Sequence, residues 1–252
     1  MAINIAFIPF SSPAQLSAEA ICAQLAEKWP ELPKAQKVKA EGEMLSFELG
    51  ASTLIAMAMG APIPWSDLEG PCKTSWLWKD AVKDLRDHTD HLVVTVMGPE
   101  DALTQATLLT QTCAAILGTC KNAPGVYWGN ATLVVPSQLF QEFAVDILPK
   151  GPPIHIWVDF RVGKNDDGTC SGFTTGLQAL GFMEAETENA TESPGELRER
   201  FIALAGYLLE NGPVIQDGNT VGGSADEKIR VVFSDSKFGH EGKVMRLEYG
   251  SK

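Results

Sequence analysis

The order of expected elements runs through this chain twice, and that repetition constrains the fold more than any other feature. Residues 3–98 read strand, helix, strand, strand, helix, strand, and residues 131–234 read in the same order. Each half opens on an apolar strand, a proline, a serine and an amphipathic helix. In the first half these are Ile3 to Pro9, Ser11, Ser12 and a helix from Pro13; in the second, Leu133 to Val135, Pro136, Ser137 and a helix from Gln138. A βαββαβ order is the pattern of a ferredoxin-like unit. The expected fold is therefore α+β, with two ferredoxin-like βαββαβ halves packed as a pseudo-symmetric unit and antiparallel sheets carrying helices on one face. The halves fall at 1–100 and 126–252, joined by a connecting helix within 101–125; an inserted hairpin and an extra C-terminal strand complete the second. Such a fold hosts unrelated chemistries, so function has to be argued from sites.

Local signals place the elements. Ser12, Pro13 and Gln15 read as the start of a capped helix that ends near Trp29 and Pro30. Lys34 to Lys39 reads as a polar connection. Glu43 to Leu49 alternates in polarity and Ser52 to Met59 is more continuously apolar, so both read as strands. Pro62, Pro64, Gly70 and Pro71 argue against a long element between Gly60 and Lys73. A helix over Ser75 to Asp87 then leads into a strand from His91 to Met97, and Asp101 caps an apolar helix reaching Thr119. Ile154, Ile156, Val158, Phe160 and Val162 alternate with polar partners and read as one strand, its partner running on from the Asn165–Gly168 turn toward Phe182. Ser193, Pro194 and Glu196 make a capping box for a helix over Pro194 to Leu209. Pro213 to Val221 reads as a small hairpin turning at Asp217 and Gly218, and Ile229 to Ser234 and Val244 to Tyr249 read as the last strands.

The C-terminal stretch resembles a bacterial domain-of-unknown-function family, number 4261, over roughly residues 176–252. The residues that carry the likeness are Gly176-Leu177, Gly181, Glu184, the Pro194–Leu209 helix, Asp217-Gly218-Asn219-Thr220-Val221-Gly222, Glu227-Lys228-Ile229 and Lys243 to Leu247. Asp-Gly-x-Thr-x-Gly followed by Glu-Lys-Ile is its most specific part. Gly223 stands where the pattern has a bulkier residue. The family has no assigned activity, so the resemblance implies a bacterial, cytoplasmic origin and no particular chemistry.

Charge and cysteine usage narrow the partners. Of 252 residues, 20 are Lys or Arg and 32 are Asp or Glu, a formal net charge of −12. That field disfavours nucleic acid and anionic lipid, which require clustered cations. Ala51 to Trp65 is the longest weakly polar stretch, and Pro62 and Pro64 leave it short of a membrane span. The five cysteines, Cys22, Cys72, Cys113, Cys120 and Cys170, form no Cys-x-x-Cys pair. Cys113 and Cys120 on one helix stand about 10 Å apart along its axis, too far to bridge. A reduced, cytoplasmic setting is the expectation.

Three constellations are candidates for chemistry. His155, Trp157, Asp159 and Arg161 occupy alternate positions of the expected strand, about 7 Å apart on one face. A histidine, a carboxylate and a guanidinium so placed form a candidate ligand face, with an Asp159–Arg161 ion pair beside a half-buried Trp157 as the plain structural alternative. Trp65, Trp76, Trp78, Tyr127 and Trp128 lie in or beside Pro/Gly-rich segments and are a candidate partner surface, since Trp and Tyr dominate interface hot spots; core plugs beneath loops are the alternative. His88 and His91, three residues apart, bracket a helix-to-strand junction and lack a third ligand nearby, so no metal is expected. Neither a phosphate-binding glycine loop nor a nucleophile elbow is present, and no cofactor is expected. The leading expectation is a non-enzymatic cytoplasmic interaction protein with a protein partner, no nucleic acid and no membrane. A small-molecule-binding protein or enzyme with a pocket between the two sheet faces is the alternative.

Overall fold

The computed structural model describes residues 4–224 and 227–250; Ile3, expected to open the first strand, lies outside them. The chain divides into two compact units, Met1–Trp157 and Val158–Lys252.

The first unit runs β1 (Asn4–Phe10), α1 (Ala18–Lys28), β2 (Gln36–Glu41), β3 (Met44–Leu49), β4 (Ser52–Ala58), α2 (Trp65–Thr74), α3 (Ala81–Leu85) and β5 (Asp90–Met97). It continues through α4 (Ala102–Thr119), β6 (Gly125–Trp128), β7 (Leu133–Pro136), α5 (Ser137–Glu142) and α6 (Ile154–Trp157). Its seven strands form one sheet in the order β2-β3-β4-β5-β1-β6-β7, every neighbour antiparallel. A ferredoxin-like unit would seat β4 beside β1; here β4 pairs with β5, and β5 alone separates it from β1. Strand order in sequence does not specify which edge a strand joins. The observed register aligns the apolar positions: Leu45, Ala56, Val94, Ala6, Trp128 and Leu133 lie in one row across six strands, all buried. A one-residue slip would turn a strand's whole apolar set to the other face.

Helix α4 covers that row, packing on β1, β4 and β5 with α1 alongside. Asp101 caps it by accepting from Thr104 N at 2.9 Å, and every residue from Leu108 to Leu117 is buried. Thr110 and Thr112 satisfy their hydroxyls on the carbonyls of Ala106 and Leu108, as buried polar groups on a helix must. The opposite sheet face also carries helices, contrary to the one-face expectation. Phe7, Tyr127 and Val134 meet Leu68 and Cys72 of α2 and Ala81 and Leu85 of α3, with Ile63 and Trp78 filling between. Helix α2 occupies the stretch whose prolines argued for irregular chain. Pro64 precedes its first turn, where a missing N–H costs nothing, and Pro71 gives up only one intrahelical bond. The buried pair Leu68 and Cys72 offsets that loss.

Helix α1 starts at Ala18 with Ser17 as cap, later than Ser12 implied. Asp90 explains the delay, because its carboxylate accepts from Ala14 N at 3.0 Å, and residues 11–17 carry no helix.

The second unit runs β8 (Asp159–Lys164), β9 (Cys170–Thr175), β10 (Ala185–Ala190), α7 (Pro194–Asn211), β11 (Thr220–Val221), β12 (Ile229–Asp235) and β13 (Lys243–Glu248). The sheet order is β11-β12-β13-β10-β9-β8, with β10 and β13 parallel and all other neighbours antiparallel. Helix α7 lies on β8 and β9. Gly172 permits that approach: a Cβ there would stand 2.9 Å from the Phe201 ring and 2.7 Å from Arg161 O. The capping box is present as expected, with Ser193 and Glu196 reciprocally bonded.

The repeated element order does not become a repeated topology. Leu133–Pro136, which opened the second repeat, is the edge strand of the first sheet, and the two sheets differ in strand number, order and direction. The molecule is mixed α and β with two sheets, without two matching ferredoxin-like halves. Among the described residues no helix is long and apolar enough to cross a membrane.

Candidate functional site

The expected strand carrying His155 to Arg161 is broken in two. Pro152 and Pro153 seed the helical turn α6, in which Ile154 N and Ile156 N bond to their carbonyls, and β8 begins only at Asp159. Alternating polarity over so few residues also fits a turn of helix followed by a strand. His155 sits between Trp76 and Phe143, at ring-centroid distances of 5.9 and 5.6 Å, and burial lowers its pKa. Trp157 is buried and donates its indole N–H to Thr110 Oγ1 at 2.7 Å. Both residues belong to the first unit, and Asp159 and Arg161 to the second. The latter two form an ion pair at 2.6 Å. Burial raises the Asp159 pKa against the opposing pull of Arg161. The four residues do not form a row on one strand.

The aromatic set is also dispersed. Trp78 and Trp128 are buried. Tyr127 and Trp128 are neighbours on β6 and point to opposite sheet faces, Tyr127 stacked on Phe7 at 5.5 Å and Trp128 against Phe140. Trp78 donates to Asp84 at 2.9 Å, and Trp65 lies under the Arg86 guanidinium at 4.8 Å. Trp76 is half-buried beside His155. The histidine pair at the junction braces a loop: Ile63 N donates to His88 Nε2 at 2.7 Å, and His91 Nδ1 lies 2.6 Å from Ala61 O. Among the described residues no group of three His, Cys, Asp or Glu is arranged to hold a metal ion.

The second unit carries a cleft of about 820 Å³ between α7 and β11. One wall is a single face of α7, where Glu196, Glu199, Arg200, Ala203 and Tyr207 recur at helical spacing. The other wall is Asn219 to Gly223, and Val214, Ile215 and Leu204 supply apolar lining. Such dimensions suit a small ligand or a few side chains of a partner.

Arg200 organises the cleft. Its Nε donates to Glu192 Oε1 at 2.7 Å, and its Nη2 contacts both Glu192 and Glu227. Glu192 also accepts from the Tyr249 hydroxyl at 3.1 Å, and Glu227 from Gly223 N. Burial disfavours the Arg200 charge, but its bonds to Glu192 and Glu227 outweigh that and hold its pKa above the usual arginine value. Tyr249 is pushed up by burial and by the Glu192 charge. Glu227 is held low, chiefly by the Gly223 N–H and further by Arg200. The lining thus carries four carboxylates, Glu192, Glu196, Glu199 and Glu227, against one guanidinium that is already engaged. The excess is negative, in a setting of partly apolar walls that screens charge less than open water.

None of these residues belonged to a candidate constellation. The sequence signals that touch them are the Ser193–Glu196 capping box and the Asp217–Gly222 and Glu227–Ile229 pattern. Asp217 Oδ1 accepts from Phe233 N at 2.8 Å, and Gly218 takes a left-handed φ of 83°. Gly222 passes so close to Glu227 that a Cβ would stand 2.2 Å from its carbonyl oxygen. The pattern therefore builds the β11 wall of the cleft.

No curated protein and no solved structure matches this chain. Residues 173–248, which span the structure from Phe173 in β9 to the end of β13 and include α7 and the β11 wall, match the family model of a domain of unknown function, DUF4261.

Proposed function

We propose that the protein is a non-enzymatic binding protein of the bacterial cytoplasm whose C-terminal unit takes a cationic segment of a protein partner in the α7–β11 cleft. The carboxylate excess around that cleft carries the reading. The Arg200 charge is offset by Glu192 and Glu227, so it offers little to an anion, and the exposed Glu199 on the α7 wall offers a charge to a cation. Val214 and Tyr207, 49% and 48% exposed, provide the apolar contact that long Lys and Arg stems use. The net charge of −12 steers a basic partner toward the molecule. All five cysteines are free, which supports a reducing compartment.

The test is fluorescence polarisation with a labelled peptide alternating lysine and valine, at low and high salt. Binding should weaken with salt, and Glu199→Lys should cost about tenfold in affinity. Absence of binding at low salt, or binding indifferent to Glu199→Lys, overturns the reading.

A further inference from the structure

The cleft has one wall that is a sheet edge. Strand β11 pairs with β12 alone and ends the order of its sheet among the described residues. Val231 N donates to Asn219 O at 2.8 Å, so Asn219 and Val231 form a hydrogen-bonded pair. Antiparallel pairs alternate, which makes the adjacent Thr220–Arg230 pair the non-hydrogen-bonded kind. The N–H and C=O of Thr220 therefore point away from β12. Thr220 is exposed and lines the cleft, and the α7 face stands across from it. A donor and an acceptor on a sheet edge that lines a groove walled by a helix are the elements of strand addition.

We infer that the cationic partner segment binds as an extended strand added to β11, its backbone pairing with Thr220. This rests on the cleft reading above and deepens it by naming the conformation of the occupant. Alternate side chains of an added strand project to opposite sides. One set then reaches Glu196 and Glu199, and the polarity of the lining selects Lys or Arg there. The occupant is a peptide and not a free polyamine, because recognition passes through its amide groups.

The experiment uses the full chain and the alternating lysine–valine peptide with blocked ends. Thr220→Pro removes the outward N–H and leaves the β12 ladder bonds in place; Thr220→Val keeps the N–H and removes only the hydroxyl. Strand addition predicts a loss of at least about tenfold for Thr220→Pro and little change for Thr220→Val. It also predicts failure of a peptide whose alternate amides are N-methylated, measured against the unaltered protein. That last arm decides the matter should Thr220→Pro not fold. Equal binding of the methylated peptide in both alternating registers, with Glu199→Lys still weakening it, overturns strand addition and leaves the cleft reading standing. No binding of any peptide to the unaltered protein overturns both.

Discussion

Replacing Arg200 by Met removes the one cation among the described residues that line the cleft and keeps most of the side-chain stem. The Arg200 and Glu192 side chains are 16% and 14% exposed, whereas Glu227 is 36% exposed. Breaking a fully buried pair costs about 3–5 kcal/mol and an exposed pair about 0–1 kcal/mol. The Glu192 contact lies toward the buried end, softened by the Tyr249 hydroxyl that remains; Glu227 keeps its bond from Gly223 N. A total loss of about 2 kcal/mol at neutral pH follows. Its pH dependence has a definite sign. The Glu227 pKa is depressed in the folded protein, so its contribution is present above the unfolded carboxylate value and disappears as pH falls through the folded one. That loss shrinks the difference between the two proteins, so the cost at about pH 4 should be smaller than at pH 7. All six tryptophans, Trp29, Trp65, Trp76, Trp78, Trp128 and Trp157, lie in the first unit, so indole fluorescence is the wrong probe. Amide hydrogen exchange of α7 at the two pH values is the right one. An equal loss at both would mean that packing and not charge holds Arg200, and no loss at neutral pH would mean that the pair is solvated.

Gly125→Ala should destabilise the first unit by about 3 kcal/mol, because the new Cβ would lie 2.3 Å from Val135 O and 2.4 Å from the Trp78 ring. Thermal unfolding followed by tryptophan fluorescence measures it, and a change of a few tenths would refute the stated close approach. Glu184→Met should cost at least about 2 kcal/mol: the buried carboxylate accepts from Gly176 N and Gln178 N on one oxygen and from Thr174 Oγ1 on the other, and a thioether leaves these donors without an acceptor. Urea unfolding followed by far-UV circular dichroism reads that loss, and full stability would place the carboxylate in solvent. Burial pushes the Cys72 thiol up to about 11 and raises Cys22, Cys113 and Cys120 as well. Maleimide labelling of the native protein near pH 8 should therefore be slow, with half-buried Cys22 reacting first and all five thiols reacting after denaturation. Fast labelling of Cys113 would contradict its complete burial.

What could be read from the chain directly was whatever depends on neighbours in sequence. The Ser193–Glu196 capping box, the Asp101 cap, the alternation of Met44–Leu49 and the strand at 243–248 are set by bonds or periodicities spanning a few residues, and each is in place. The resemblance over the C-terminal part rests on local spacing too, and the match over 173–248 agrees with it. What tertiary structure alone decided is which edge each strand joins and what each side chain meets there. The same strand order fits a ferredoxin-like sheet or the observed one, and the choice turns on aligning Leu45, Ala56, Val94 and Ala6 under α4. Short apolar alternation around Trp157 resolved into a helical turn after Pro152 and Pro153, and what its indole N–H meets, Thr110, is 47 residues away. The cleft stayed invisible for the same reason: Glu192, Arg200, Glu227 and Tyr249 are scattered along the chain, and only the tertiary fold brings them within bonding distance.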